Sequence, residues 1–364
     1  MKKIIAFFVS LVLSFTVFSV FVCALGNSAR SAVLIEADSG EIIFSKDENT
    51  RRGMASTTKI MTAIVAIENS SLDKVVNIRK EAVGVEGSSI YLTEGEKITM
   101  RDLLYALMLQ SANDAAAAIA YEVAGSIDGF ADMMNKKAEE LGLKNTHFDN
   151  PHGLDGDTHY TTAYELAVIA SYALKNETFR TIVSTVKKSA PANEKHVSRL
   201  FVNHNRLLRT YDDVIGVKTG FTKKCGRTLV SAAERDGLRL ICVTLDDGND
   251  WKDHREMLDY GFSLYENVVL TEKDGLSFSV PLVGGEKESV TVRNAESASA
   301  ALRKNHGEIE SVVYLPHFIY AGTKKGTAVG KIKYFTDGKI IGESELYLAE
   351  DAPIKYVKKG FFKK

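Results

Sequence analysis

Three short groups of residues have the types and the order that acyl transfer needs. In Ser56-Thr57-Thr58-Lys59, serine and lysine are three positions apart at the head of an apolar stretch holding Ile60, Met61, Ile64, Val65 and Ile67. Residues at i and i+3 share a helix face, so the amine stands one turn from the hydroxyl. A helix start also offers free N–H groups and the positive end of the macrodipole to a developing anion. Apolar neighbours disfavour the ammonium, and a lysine without its proton is a base for the serine. The spacing alone says little, because Ser71 to Lys74 and Ser184 to Lys187 repeat it with nothing around them that suggests chemistry. The ordinary reading of Ser56 by itself is a helix cap with a lysine whose stem lies along apolar surface.

Ser111-Ala112-Asn113 lies between two apolar helical runs, Leu103 to Leu109 and Ala115 to Ala124, and Ser-x-Asn occurs once in the chain. Its ordinary reading is a cap for a helix starting near Asp114. Lys218-Thr219-Gly220 follows Val214 to Val217 and precedes Phe221, which is strand context. Its ordinary reading is an edge-strand lysine before a turn glycine. In this order and these settings, the three groups are the motifs of penicillin-binding proteins and serine β-lactamases.

The likeness extends beyond the triplets, through Asn150-Pro151-His152-Gly153-Leu154-Asp155, Asn203-His204-Asn205-Arg206-Leu207-Leu208 and Gly216-Val217-Lys218-Thr219-Gly220-Phe221-Thr222. Residues 30–265 resemble the low-molecular-mass D-alanyl-D-alanine carboxypeptidases, which trim peptidoglycan stem peptides in cell-wall biogenesis. The resemblance implies a β-lactamase/transpeptidase-like catalytic domain and no cofactor or metal. Its substrates would be stem peptides ending in D-Ala-D-Ala, and its covalent inhibitors β-lactams. It also implies roles: Ser56 as nucleophile, Lys59 as its base and Ser111 as relay to the leaving amine. Asn113 would meet the stem-peptide amide, and Lys218 and Thr219 the free carboxylate. The N–H groups of Ser56 and Phe221 would form the oxyanion hole. Some relatives carry histidine where this chain has Phe221, which leaves carboxylate recognition open; His254 and Arg255 are candidates for an added cation.

Two other functions stand beside this one. A serine β-lactamase needs a carboxylate placed for deacylation, and no counterpart stands out between Asn113 and Lys218. A penicillin-sensing module would acylate without turnover, but Lys59 and Ser111, whose loss would have argued for it, are both present. A zinc site around His152, Asp155, Asp157 and His159 falls in a Gly- and Asp-rich turn without a second ligand pair at metal spacing.

The elements that must hold these residues read as α+β. Ala32 to Ala37 and Glu41 to Ser45 flank Asp38-Ser39-Gly40, and Arg227 to Glu234 and Leu238 to Leu245 flank Arg235-Asp236-Gly237, two hairpin signals. Strands thus stand at both ends of a region whose middle is helical. After Thr271 helical periodicity gives way to short alternating runs such as Ser277 to Leu282 and Lys331 to Phe335. Ile340 to Leu348 follows across Thr336-Asp337-Gly338. The expected organisation is a signal peptide at 1–26, a penicillin-binding serine carboxypeptidase domain at 27–272, a small all-β domain at 274–350 and a basic tail at 351–364.

The 364 residues carry a net charge of −1 with no long block of either sign, so nothing in the charge favours nucleic acid as a partner. Lys2 and Lys3 precede an apolar run to about Leu25 with small residues at Ala24 and Gly26, the pattern of a cleavable export signal. The run is also long enough for an uncleaved anchor, and either reading carries the bulk of the chain out of the cytoplasm, to the cell wall or the outer face of the cytoplasmic membrane. Beyond Cys23 only Cys225 and Cys242 remain, too few for a disulfide scaffold, and the spacing leaves their pairing open. Five lysines surround Phe361 and Phe362 between Lys355 and Lys364: a frayed end or a peripheral contact with anionic lipid.

Overall fold

The computed structural model describes residues 25–191 and 198–355. The expected signal region, apart from its last two residues, and the tail beyond Lys355 lie outside them. An antiparallel sheet of five strands organises the first two thirds of the chain. The strands are β1 (Ser31–Glu36), β2 (Ile42–Lys46), β3 (Val214–Thr222), β4 (Gly226–Arg235) and β5 (Leu238–Leu245), in the order β2-β1-β5-β4-β3. Both expected hairpins form. The tight turn between β4 and β5 places Asp236 and Gly237 at φ of 50° and 81°, a left-handed pair that glycine makes easy.

Helices cover both faces, which is why β1 and β5 are buried almost throughout and carry runs of consecutive apolar residues, Ala32 to Ile35 and Leu240 to Val243, instead of alternating. Val33 and Ile35 of β1 join one core with Val230, Ala232, Ile241 and Val243. Ala32 and Leu34 join another with Leu229, Leu240 and Cys242. The first core is packed by α1 (Lys59–Asn69), α2 (Met100–Leu109), α3 (Asn113–Ala124), α4 (Ile127–Glu140), α5 (Ala163–Leu174) and α6 (Glu177–Ser184). The second is closed by α7 (Asp250–Leu264), whose Met257, Leu258 and Phe262 are buried. From Lys59 to Ala66 every residue of α1 is buried, as expected for a helix apolar on nearly all sides.

Tyr265–Thr271 runs on from the end of α7 and pairs with Ala298–Arg303, so backbone pairing with the C-terminal region begins before the change in sequence pattern at Thr271. A six-stranded sheet follows around Val280, Leu282, Val290, Val292, Ile332, Leu346 and Leu348. The strand ending at Thr336 turns through Asp337 and Gly338, at φ of 49° and 73°, into Lys339–Leu348. The architecture is α+β with an all-β C-terminal domain. No helix among the described residues is long and apolar enough to cross a membrane.

Candidate active site

Ser56 sits in a single 3-10 turn, Ala55–Thr58, that feeds directly into α1. Ala55 enters it at φ 47°, in the left-handed region that L-residues seldom occupy. Neither Met54 nor Thr58, at the cap positions of the turn and of α1, makes a side-chain capping bond. Ser56 is thus presented to the cleft, not spent as a cap. The Thr57 and Thr58 hydroxyls instead donate back to the carbonyls of Met54 and Ala55, tightening the turn.

Lys59 is fully buried, and its Nζ lies 2.9 Å from Ser56 Oγ, 2.7 Å from Asn113 Oδ1 and 2.5 Å from the His152 carbonyl. An ammonium has three protons for these three oxygens. A neutral amine keeps two for Asn113 and His152, and its lone pair then faces the Ser56 hydroxyl. The arrangement of a base is therefore in place once the proton leaves. Burial, then the charge of Lys218, push the Lys59 pKa well below its usual value, with Asp114 opposing them.

Asn113 is the first residue of α3, and Ser111 stands before it at φ 59°. The residue at the cap of α3 is Ala112, without a capping side chain. Ser111 is free of that duty, and its hydroxyl lies 3.1 Å from Lys218 Nζ. Asn113 is oriented from behind: its Nδ2 donates to the Glu86 carbonyl and its N–H to that of Ser88, at 2.5 and 2.7 Å. Asp114 ties down the same loop through the Ser89 hydroxyl and the N–H groups of Ile90 and Leu92.

Lys218 and Thr219 lie on β3, at the edge of the sheet. Lys218 is 2% exposed, and burial lowers its pKa to about 7. Gly220 follows because nothing larger fits. A Cβ there would stand 2.4 Å from Thr228 Oγ1 and 2.9 Å from the Ser56 backbone nitrogen. The edge of β3 thus runs against the N–H that opens the Ser56 turn. Phe221, next along, is 64% exposed at the rim.

The structure therefore bonds Ser56, Lys59 and Asn113 into one group and Ser111 and Lys218 into a second, close enough for the charge of Lys218 to act on Lys59, with Thr219 and Phe221 next along the strand. It does not bring His254 or Arg255 there. His254 is wholly buried between the hydroxyls of Ser231 and Thr244, and burial holds its pKa near 3, so the ring is neutral. Arg255 is turned to the Thr210 carbonyl and the Tyr211 ring. His159, of the imagined zinc cluster, pairs with the Thr58 hydroxyl and accepts from the Asp149 N–H, which supports the Ser56 turn from below. Cys225 and Cys242 are both free; their sulfurs contact Asp155 and Met257. Sequence reasoning missed the carbonyls of His152 and Glu86, since every residue has a carbonyl and only the fold chooses which ones face the site. The rigid Asn150-Pro151-His152-Gly153 turn was the available signal.

Comparison with known proteins gives the same picture. A family profile described as D-alanyl-D-alanine carboxypeptidase matches residues 22–249, and one described as penicillin-binding protein 5, C-terminal domain, matches residues 265–353. D-alanyl-D-alanine carboxypeptidase DacF of Bacillus subtilis is 33% identical over 337 residues, covering 90% of this chain and 86% of its own length. DacC of Escherichia coli is 30% identical over 342 residues, with 89% and 84% covered. Among solved structures, penicillin binding protein 5 from Haemophilus influenzae matches with a TM-score of 0.69 at 27% identity, over 90% of this chain and 98% of that one. The Streptomyces K15 DD-transpeptidase matches with a TM-score of 0.62 at 36% identity, over 66% of this chain and 98% of that one. With the motif residues gathered at one cleft and both regions matched in order, the chain belongs to the D-alanyl-D-alanine carboxypeptidase family of serine peptidases.

Proposed function

We propose that the chain removes the terminal D-alanine of peptidoglycan stem peptides through an acyl-enzyme on Ser56. The observation that carries this reading is the buried Lys59 amine, 2.9 Å from Ser56 Oγ with its pKa driven down by burial. Ser56 Oγ attacks the carbonyl between the two D-alanines while neutral Lys59 takes its proton. The oxyanion is met by the N–H groups of Ser56 and Phe221. As the C–N bond breaks, Ser111 passes a proton to the departing amine, and free D-alanine leaves. Water then attacks the ester carbonyl, Ser56 recovers its proton, and the shortened peptide is released. Asn113 holds the stem-peptide amide; Lys218 and Thr219 take the carboxylate, whose arrival favours the charged form of Lys218.

The same reading makes residues 1–26 an export signal, 27–272 the catalytic domain, 274–350 the β-rich domain and 351–364 a basic tail that touches anionic lipid on the outer face of the cytoplasmic membrane. Intact-mass analysis after penicillin treatment tests the nucleophile. One adduct is expected, absent from Ser56→Ala, and an adduct that persists in that variant sinks the assignment. Steady release of D-alanine from a peptide ending in D-Ala-D-Ala separates turnover from penicillin sensing.

A further inference from the structure

Far from Ser56, two carboxylates are buried face to face without a cation. Asp247 follows β5 and Asp253 stands in the first turn of α7; they are 1% and 4% exposed. Ser28 lies between them. Its Oγ is 2.6 Å from Asp247 Oδ1 and 2.7 Å from Asp253 Oδ2, and its N–H donates to Asp253 Oδ2 at 2.6 Å. A hydroxyl has one proton, so it serves only one of the two acids. The Asn249 N–H also reaches Asp247 Oδ1, but Asp247 Oδ2 is buried with no partner among the described residues. No salt bridge among the described residues reaches either acid, since Arg30 is taken by Asp246 and Arg227 by Asp250. A buried pair of like charges in this state calls for a cation.

Resting on the reading of residues 1–26 as a cleaved export signal, we propose that Asp247 and Asp253 form the seat of the α-ammonium group that a cut after Gly26 creates on Asn27. The precursor has no such cation, because the same nitrogen is there a peptide N–H.

Asn27 is already held at the place. Its Nδ2 lies 3.0 Å from Met257 Sδ, its Oδ1 accepts from the Ala29 N–H at 2.9 Å, and its carbonyl accepts from Lys46 Nζ at 2.9 Å. Met257 is four residues beyond Asp253, on the same face of α7. The bond lengths of one residue put the Asn27 nitrogen within about 3.7 Å of the Ser28 nitrogen, and hence within about 6 Å of Asp253 Oδ2. At that range opposite charges favour both ionised forms. Without the ammonium, burial and then the charge of Asp253 push the Asp247 carboxyl up, against its bonds from Ser28 and Asn249. The precursor therefore relieves the pair by holding a proton, and the mature chain by supplying its own terminus.

Two starts of the same protein make the test. One begins at Asn27, freed from a removable leader; in the other the leader still runs on through Leu25 and Gly26. Urea unfolding of each, with and without Asp247→Asn, gives four folding constants. In the Asn27 start the substitution takes a partner from the ammonium, and the constant should fall about ten-fold or more, the equivalent of one unit of pKa shift on the amine. In the extended chain it removes an uncompensated buried charge, and the constant should hold or rise. Comparing the effect within each start cancels the packing of Leu25 on the second core, which only the extended chain has.

The pH dependence reads the same contact without a variant. A paired α-amine is raised above its unfolded value of about 7.7 to 8.0, so its stabilisation is present below that value and lost as pH rises through the folded one. The Arg30–Asp246 and Arg227–Asp250 pairs, Lys46, His254 and Cys242 surround the site in both starts and cancel in the comparison. The ratio of the two folding constants, Asn27 start over extended chain, should therefore shrink about ten-fold or more between pH 7 and pH 10. An Asp247→Asn effect equal in both starts, or a ratio that does not move with pH, overturns the assignment. Equal stabilisation of both starts by added calcium overturns it too, and gives the pair to a divalent cation. Exported protein whose mass begins at Leu25 places the ammonium elsewhere and has the same consequence. Exported protein that keeps residues 1–26 overturns instead the export-signal reading on which the occupant rests.

Discussion

Replacing Lys218 by methionine should stabilise the protein at neutral pH while destroying its activity, and the gain should fade as pH rises. Methionine fills much of the same space without an amine. In the unfolded chain a lysine keeps its proton to about pH 10.4, whereas burial lowers Lys218 to about 7 in the fold. Between those values the unfolded state holds the extra proton, so the stability of the unaltered protein rises with pH. The cost of burying the amine is full below about pH 7 and gone above about 10.4. At 1.36 kcal/mol per pH unit, and with the folded value good to about a unit, that cost is about 3 to 6 kcal/mol. Losing the bonds to Ser111 Oγ and the Thr219 carbonyl takes back roughly 2 kcal/mol. At pH 7, where part of that cost has already been relieved, the variant should thus be more stable by about 1 to 3 kcal/mol. Moving both proteins to pH 9.5 should shift the difference toward the unaltered one by about 2 to 3 kcal/mol. Urea unfolding at the two pH values measures it. A variant less stable at pH 7, by the same margin as at pH 9.5, would mean that Lys218 is not depressed by burial.

Lys59→Arg retains charge but cannot act as a base at neutral pH, so penicillin labelling should fall at least about a thousand-fold; near-normal labelling would send the Ser56 proton elsewhere. Gly220→Ala forces a methyl group against Thr228 Oγ1 and the Ser56 nitrogen, and a displacement of about an ångström should slow acylation by roughly a hundred-fold. A rate within a factor of about three would show that the edge of β3 yields freely. Ile354 and Lys355 pair with Gly285 and Gly284, so the tail should be cut after Lys355. The shortened mature protein should keep its activity on soluble peptide and lose binding to anionic vesicles at low salt, a contact that five lysines make salt-sensitive. Full-length mature protein that ignores such vesicles has a tail that is only a loose end.

The sequence by itself determined what is local. Ser56 and Lys59 share a face because they are three residues apart on a helix, and that helix is buried because its residues are apolar on almost every side. The Asp236-Gly237 and Asp337-Gly338 turns were legible because left-handed backbone needs such residues. Strand character around Lys218-Thr219-Gly220 was legible from its β-branched neighbours. Tertiary structure decided which of the two readings each motif took. Ser111 has the type and place of a helix cap, and only the approach of β3 gives its hydroxyl to Lys218. Asn113 could have faced solvent, but the loop carrying Glu86 turns its amide oxygen to Lys59. His254 and Arg255 looked available as cations, and packing put one among buried hydroxyls and the other against Tyr211. A pKa depends on everything within a few ångströms, whatever its distance along the chain. The identity of the amines was therefore readable from the sequence, and their depressed basicity only from the fold.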